Sequence, residues 1–86
     1  SSALPTGRLN RWLAEIQETG HTVTKVKTVL RIKYVTQTGT CPPQLTFFCN
    51  RPDVVTDNYE RFLENRLRKA FDLTGTPVRF KFKKKD

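Results

Sequence analysis

The sequence is poor in the residues that carry out chemistry. Its 86 residues include one histidine, His21, and two cysteines, Cys41 and Cys49. Nucleophilic catalysis needs a nucleophile with a base beside it, and neither cysteine has a base near it in sequence. His21 falls in a stretch without clear periodicity and reads as a surface or turn residue. The cysteines form no C-x-x-C pair and have no histidine at metal-ligand spacing, so both are expected as reduced thiols and no metal is expected. Glycine is scarce too. None of the four glycines belongs to a G-x-x-x-x-G-K-[ST] loop, whose backbone amides and lysine would cradle phosphates. The chain alone is therefore expected to bind neither GTP nor ATP and to need no cofactor. The eight carboxylates, Asp57, Glu60 and Glu64 among them, fall mostly at helix ends or beside cations, where solvated structural roles leave no acid/base dyad. Long apolar runs are missing: nothing approaches the roughly 18 residues that span a bilayer. The opening SSALPTG has neither the charged nor the apolar part of a signal peptide. A non-enzymatic, soluble intracellular domain without a membrane partner is the expectation.

Positive charge is what the chain has in excess. Lys and Arg total 16 against 8 acids, a formal charge of +8, with a pI near 10.0. That surplus points to a polyanionic partner and says nothing about fold. Chains of this size hide roughly 60–65% of their unfolded surface, enough for one domain with one modest core. Residues 1–6 are expected to be a flexible leader and 83–86 a basic tail.

Leu9, Trp12, Leu13 and Ile16 recur at helical spacing behind Thr6 as N-cap and ahead of Gly20, which predicts a helix over 7–19. A connector over 21–27 follows. Residues 28–37 alternate as a strand, with Leu30, Ile32 and Tyr34 on one face and Val29, Arg31, Lys33 and Val35 on the other. TGTCPPQ breaks the pattern, and 45–50 form a hairpin partner with Leu45, Phe47 and Cys49 on one side. A second helix starts at Asp57 as cap, with Glu60 three residues on. Its apolar arc is Tyr59, Phe62, Leu63, Leu67, Ala70 and Phe71, and Arg66 falls inside it. Gly75 and Pro77 bracket a turn before Val78, Phe80 and Phe82 alternate with Arg79, Lys81 and Lys83 in a last strand.

The order α-β-β-α-β is an α+β fold with helices on one face of a three-stranded sheet. The opposite face is left open, and the alternation gathers Arg31, Lys33, Arg79, Lys81 and Lys83 on it around Thr46 and Phe48. Cations neutralise phosphates, and an exposed ring can stack on a base or fill a protein pocket, so these residues are the candidate contact set. Arg51 and Arg66 are secondary candidates. For Arg66 the structural expectation is a stem lying on the core with its head at a carboxylate.

Taken together, TGRLNRWL near the start, RIKYVTQTGTCPPQLTFFCNRPD in the middle and NYERFLENRLRKAFDLTGTPVRF toward the end resemble the C-terminal domain of the Der/EngA family of ribosome-assembly GTPases. The resemblance covers nearly the whole chain. It implies a KH-like domain that follows two tandem GTPase domains, in a cytoplasmic or organellar protein assisting assembly of the large (50S) ribosomal subunit. GTP and Mg²⁺ would belong to those absent domains. An ordinary KH domain clamps single-stranded nucleic acid with a G-x-x-G loop. Here the matching turn is Asn50-Arg51-Pro52-Asp53, in line with the family's own lack of that loop. The resemblance implies a non-catalytic module that docks on ribosomal RNA, on the neighbouring GTPase domain, or on each in turn. A stand-alone RNA-binding module and a purely intramolecular regulatory domain are the alternatives.

Overall fold

The computed structural model describes residues 3–18 and 29–86. His21, the Gly20 helix stop and the connector over 21–27 lie outside the described residues. The stripe Leu9, Trp12, Leu13 and Ile16 is buried on helix α1, Thr6–Glu18, because only that face is apolar enough to leave water. Strand β1 runs Ile32–Thr40 and pairs antiparallel with β2, Pro43–Cys49. A short 3₁₀ turn at Pro52–Val54 leads into helix α2, Asp57–Ala70, and strand β3, Arg79–Lys84, pairs parallel with β2. The sheet order is β1-β2-β3, so β2 is central. Among the described residues, helices α1 and α2 and a mixed three-stranded sheet confirm the α+β, KH-like order.

The core lies between the helices and one sheet face. Leu9 from α1, Leu63 and Leu67 from α2, Val35 from β1 and Leu45, Phe47 and Cys49 from β2 have no exposed surface. Burying a large apolar side chain is worth about 1.5–3 kcal/mol, so this cluster is the main favourable term in folding. Phe47 is its aromatic centre, with Phe80 at 4.8 Å, Phe82 at 5.1 Å and Trp12 at 6.4 Å between ring centroids.

Side-chain amides finish the outer edge of β1, which would otherwise present unpaired backbone groups. Asn10 accepts from Val35 N at 2.9 Å and donates to Val35 O at 2.8 Å. One helical heptad later, Gln17 accepts from Ile32 N at 3.0 Å and donates to Ile32 O at 2.8 Å. Two amide side chains, Asn10 and Gln17, thus stand in for a neighbouring strand. On the opposite, β2-facing side, Asn50 extends the pairing beyond Cys49, its N–H donating to Arg31 O and its side chain accepting from Arg31 N and donating to Val29 O.

Several sequence expectations are corrected. The first strand begins at Ile32 rather than 28 and runs on to Thr40. Its phase changes, because the register passes from Ile32↔Cys49 directly to Tyr34↔Phe48, which leaves Lys33 in a bulge without a partner on β2. An extra residue flips every side chain after it, so Val35 is core and Tyr34 lies on the open face. Thr56, not Asp57, caps α2, its hydroxyl accepting from Tyr59 N at 3.1 Å. Within the expected apolar arc, Ala70 and Arg66 are exposed and Phe62 is half-buried. Leu4 of the expected leader packs on the core and donates its N–H to Gln37 Oε1. Lys83 and Lys84 of the expected tail belong to β3, and Lys85 N donates to Cys49 O at 2.8 Å.

Candidate nucleic-acid interface

The face of the sheet away from the helices is organised in rows by the register. Tyr34 pairs with Phe48, which pairs with Lys83; Thr36 pairs with Thr46, which pairs with Lys81; Gly39 pairs with Gln44, which pairs with Arg79. Each row ends in a cation on β3. Alternate residues of a strand are about 6–7 Å apart, so Arg79, Lys81 and Lys83 form a straight column at that spacing. None of the three makes an ion pair among the described residues. Their charge is left for a partner.

Tyr34 and Phe48 stack across β1 and β2, with ring centroids 4.6 Å apart and planes 19° from parallel. Offset stacking of that kind adds about 0.5–1.5 kcal/mol beyond burial and fixes both rings. Tyr34 is nonetheless 38% exposed, and with Val29 it is one of two large exposed hydrophobics among the described residues. A hydroxyl network rigidifies the next row: Thr38 and Thr46 hydroxyls lie 2.9 Å apart, and Gln44 Nε2 donates to Thr38 Oγ1 at 2.8 Å. Gly39 permits this, since a Cβ there would come within 3.1 Å of Gln44 Cβ. The surface is therefore pre-formed.

Of the residues singled out from sequence, the fold brings Phe48, Arg79, Lys81 and Lys83 together. Lys33 is displaced into the bulge. Arg31 sits before β1, where its guanidinium donates to Leu30 O, and it borders a groove with Gln17, Glu18 and Tyr59 rather than the Phe48 row. Arg66 makes no ion pair with a described carboxylate; it is exposed with its guanidinium 5.8 Å from the Phe62 ring centre. The neighbouring Arg68 instead reaches Glu64 at 3.7 Å and donates to Thr76 O at 3.0 Å. Tyr34 is the residue that sequence reasoning placed on the wrong face. One signal pointed to it: Ile32 and Val35 are both apolar but three apart, a spacing that a regular strand cannot bury on one face.

The turn that takes the place of a glycine loop is internally neutralised. Arg51 donates Nε and Nη2 to the two Asp53 carboxylate oxygens at 2.9 and 2.8 Å. The hydrogen bond from Arg51 holds the Asp53 carboxyl below its usual range, and the same pairing raises the guanidinium further above its own. A guanidinium closed on a carboxylate two residues away is poorly placed to clamp a phosphate. Among the described residues no group of three or more His, Cys, Asp or Glu side chains could hold a metal, and no helix is long and apolar enough to cross a membrane.

Helices α1 and α2 on one face of a β1-β2-β3 sheet whose central strand pairs antiparallel on one side and parallel on the other define a KH-like domain. The particular branch follows from comparison: the model for the KH-domain-like of EngA bacterial GTPase enzymes, C-terminal, matches residues 4–83, and the chain belongs to this family. It is similar to GTPase Der of Chlorobium phaeobacteroides, with 50% identity over 95% of this chain and 19% of that protein. GTPase Der of Mesorhizobium japonicum is 41% identical over 100% of this chain and 18% of its own length. GTPase Der of Rickettsia typhi is 42% identical over 94% of this chain and 18% of its own length. The chain thus spans about a fifth of the length of the curated relatives it matches. It corresponds to the KH-like C-terminal domain and not to a GTPase domain.

Proposed function

We propose that the chain is the non-catalytic RNA-docking module of a Der-type double GTPase acting in the cytoplasm, or in an organelle, on assembly of the large (50S) ribosomal subunit. GTP and Mg²⁺ would be handled by the neighbouring GTPase domains. The observation that carries this reading is the column Arg79, Lys81, Lys83, without an ion pair among the described residues, set in register beside the Tyr34–Phe48 stack. Cations at regular spacing release counterions from a phosphate backbone, and a pre-ordered aromatic surface adds contact area at little entropic cost. The same face is also a candidate surface for docking on the adjoining GTPase domain, which would let the nucleotide state exchange one partner for the other.

The test is capture of large-subunit particles by the immobilised chain, with and without its GTPase domains attached. The reading expects capture by the wild type, loss of capture for the triple variant Arg79→Ala, Lys81→Ala, Lys83→Ala, and normal capture for Arg51→Ala. Undiminished capture by the triple variant overturns it.

A further inference from the structure

We infer that Tyr34 is a stacking platform for one unpaired RNA base, with Lys83 and Lys81 holding the adjoining phosphates. This deepens the RNA-docking reading and rests on it.

The argument begins with the order of residues across the row Tyr34, Phe48, Lys83. Phe48 is the middle member. One of its ring faces is taken by Tyr34 at 4.6 Å, and its other flank is the side on which Lys83 stands. Phe48 is half-buried between its two neighbours in the row. Tyr34 differs because β1 is an edge strand of the sheet. One face of its ring is backed by Phe48, no strand lies beyond the other, and the residue is 38% exposed. The edge of β1 at this point is closed to a further strand, since Asn10 and Gln17 already occupy the backbone groups of Val35 and Ile32. An added β-strand is thereby excluded as the occupant of that margin, and a flat group laid on the ring is not.

The charge around the platform selects the flat group. The cations across Phe48 on β3, Lys83 in the same row and Lys81 in the next, have no ion-pair partner among the described residues. A flat π-face joined to regularly spaced negative charge is a nucleotide strand. Its base must be unpaired, because in a duplex both faces of a base are covered by its neighbours and only the rim is presented. The lysine column has the two-residue strand spacing of about 6–7 Å, on the scale of consecutive phosphates in an extended single strand. Phe48 then acts as a positioning residue that keeps the Tyr34 ring upright, and Tyr34 makes the contact.

The experiment measures fluorescence anisotropy of the chain with a labelled, unstructured ten-nucleotide RNA and with the blunt duplex of the same strand. Tyr34→Ala, Tyr34→Leu and Tyr34→Phe are compared with Lys81→Ala. Wild type is expected to prefer the single strand by about fivefold to a hundredfold, the range of one base–aromatic stack. Tyr34→Ala and Tyr34→Leu should abolish that preference while leaving duplex affinity unchanged, and Tyr34→Phe should keep it. Tyr34→Leu retains an apolar cover on Phe48, and unchanged duplex affinity in the same variants shows that the fold and the lysine column are intact, so a loss confined to the single strand is a loss of the stack. Lys81→Ala should weaken both RNA forms together. Equal affinity of wild type for the two forms overturns the inference, as does single-strand preference surviving in Tyr34→Leu; in either case RNA docking through the lysines still stands. If Lys81→Ala changes neither form, the docking reading itself falls. Capture of a GTPase domain that is lost in Tyr34→Leu, with no RNA preference in wild type, would show that the ring fills a protein pocket instead.

Discussion

The side chain of Asn10 on α1 and the backbone of Val35 on β1 close a ring of two hydrogen bonds, 2.9 Å from Val35 N to Oδ1 and 2.8 Å from Nδ2 to Val35 O. Nδ2 also donates to Thr6 O at 2.9 Å, so both amide hydrogens are used. Because Val35 has no exposed surface, Asn10→Ala strands two backbone groups at the margin of the core. A loss of about 1–3 kcal/mol in urea denaturation is expected. Asn10→Asp should cost at least as much, since a carboxylate would face the Val35 carbonyl. A loss below about half a kcal/mol for Ala, typical of an ordinary surface substitution, would mean that water replaces the amide freely.

Leu67 has no exposed surface on α2, within the same cluster as Leu9, Trp12, Leu13 and Phe47. Leu67→Ala should therefore destabilise by about 2–5 kcal/mol through lost transfer energy and the cavity left behind. Arg66→Ala, one position earlier and exposed, should fall within about 0.5 kcal/mol of wild type in the same denaturation series.

Salt dependence separates the sheet face from the turn. Each phosphate-neutralising cation removed should flatten the slope of log affinity against log salt by roughly 0.7–0.9. Lys81→Ala, Lys83→Ala and Arg79→Ala are expected to show that change with an rRNA fragment. Arg51→Ala should leave the slope unaltered, because its guanidinium is already paired with Asp53 at 2.8 Å. If Arg51→Ala gives the steepest loss while the sheet-face variants bind normally, the contact runs through the turn.

The two thiols should differ in reactivity. Cys41 is exposed, whereas Cys49 is buried, and burial is the chief cause that raises its pKa. The thiolate is the reacting form. At pH 8 a thiol reagent is expected to label one cysteine per native chain rapidly and the second only on addition of urea. Rapid labelling of both in the native state would place Cys49 outside the core.

Much of the molecule is written in residue periodicity. The stripe Leu9, Trp12, Leu13, Ile16 specifies α1, the alternation of Leu45, Phe47 and Cys49 specifies the core face of β2, and the alternation of Arg79, Lys81 and Lys83 with Val78, Phe80 and Phe82 puts the three cations on the open face. Those assignments need only the local rule that successive side chains follow a helix or strand period. The helix cap was off by one residue, since Thr56 and Asp57 are both good caps and only the backbone decides between them.

What the sequence by itself determined is the element order, the core stripes and a basic sheet face; what only tertiary structure decided is which ring completes that face. A bulge is a two-strand property: Lys33 is extra only in relation to Cys49 and Phe48 on β2. Residue spacing along β1 does not contain that relation, so the strand read alone put Tyr34 inward and Val35 outward. Burying Val35 beneath Leu9 and Phe47 sets the phase, and the same shift carries Tyr34 to the solvent side against Phe48. The neutralisation of Arg51 by Asp53 is likewise a matter of rotamers closing on one another across a turn. The edge clasp by Asn10 and Gln17 depends on segments meeting that are 25 and 15 residues apart, and the Asn50 bond to Arg31 on one that is 19. A local period cannot encode those meetings, because they exist only once the core has brought helix, turn and strand together.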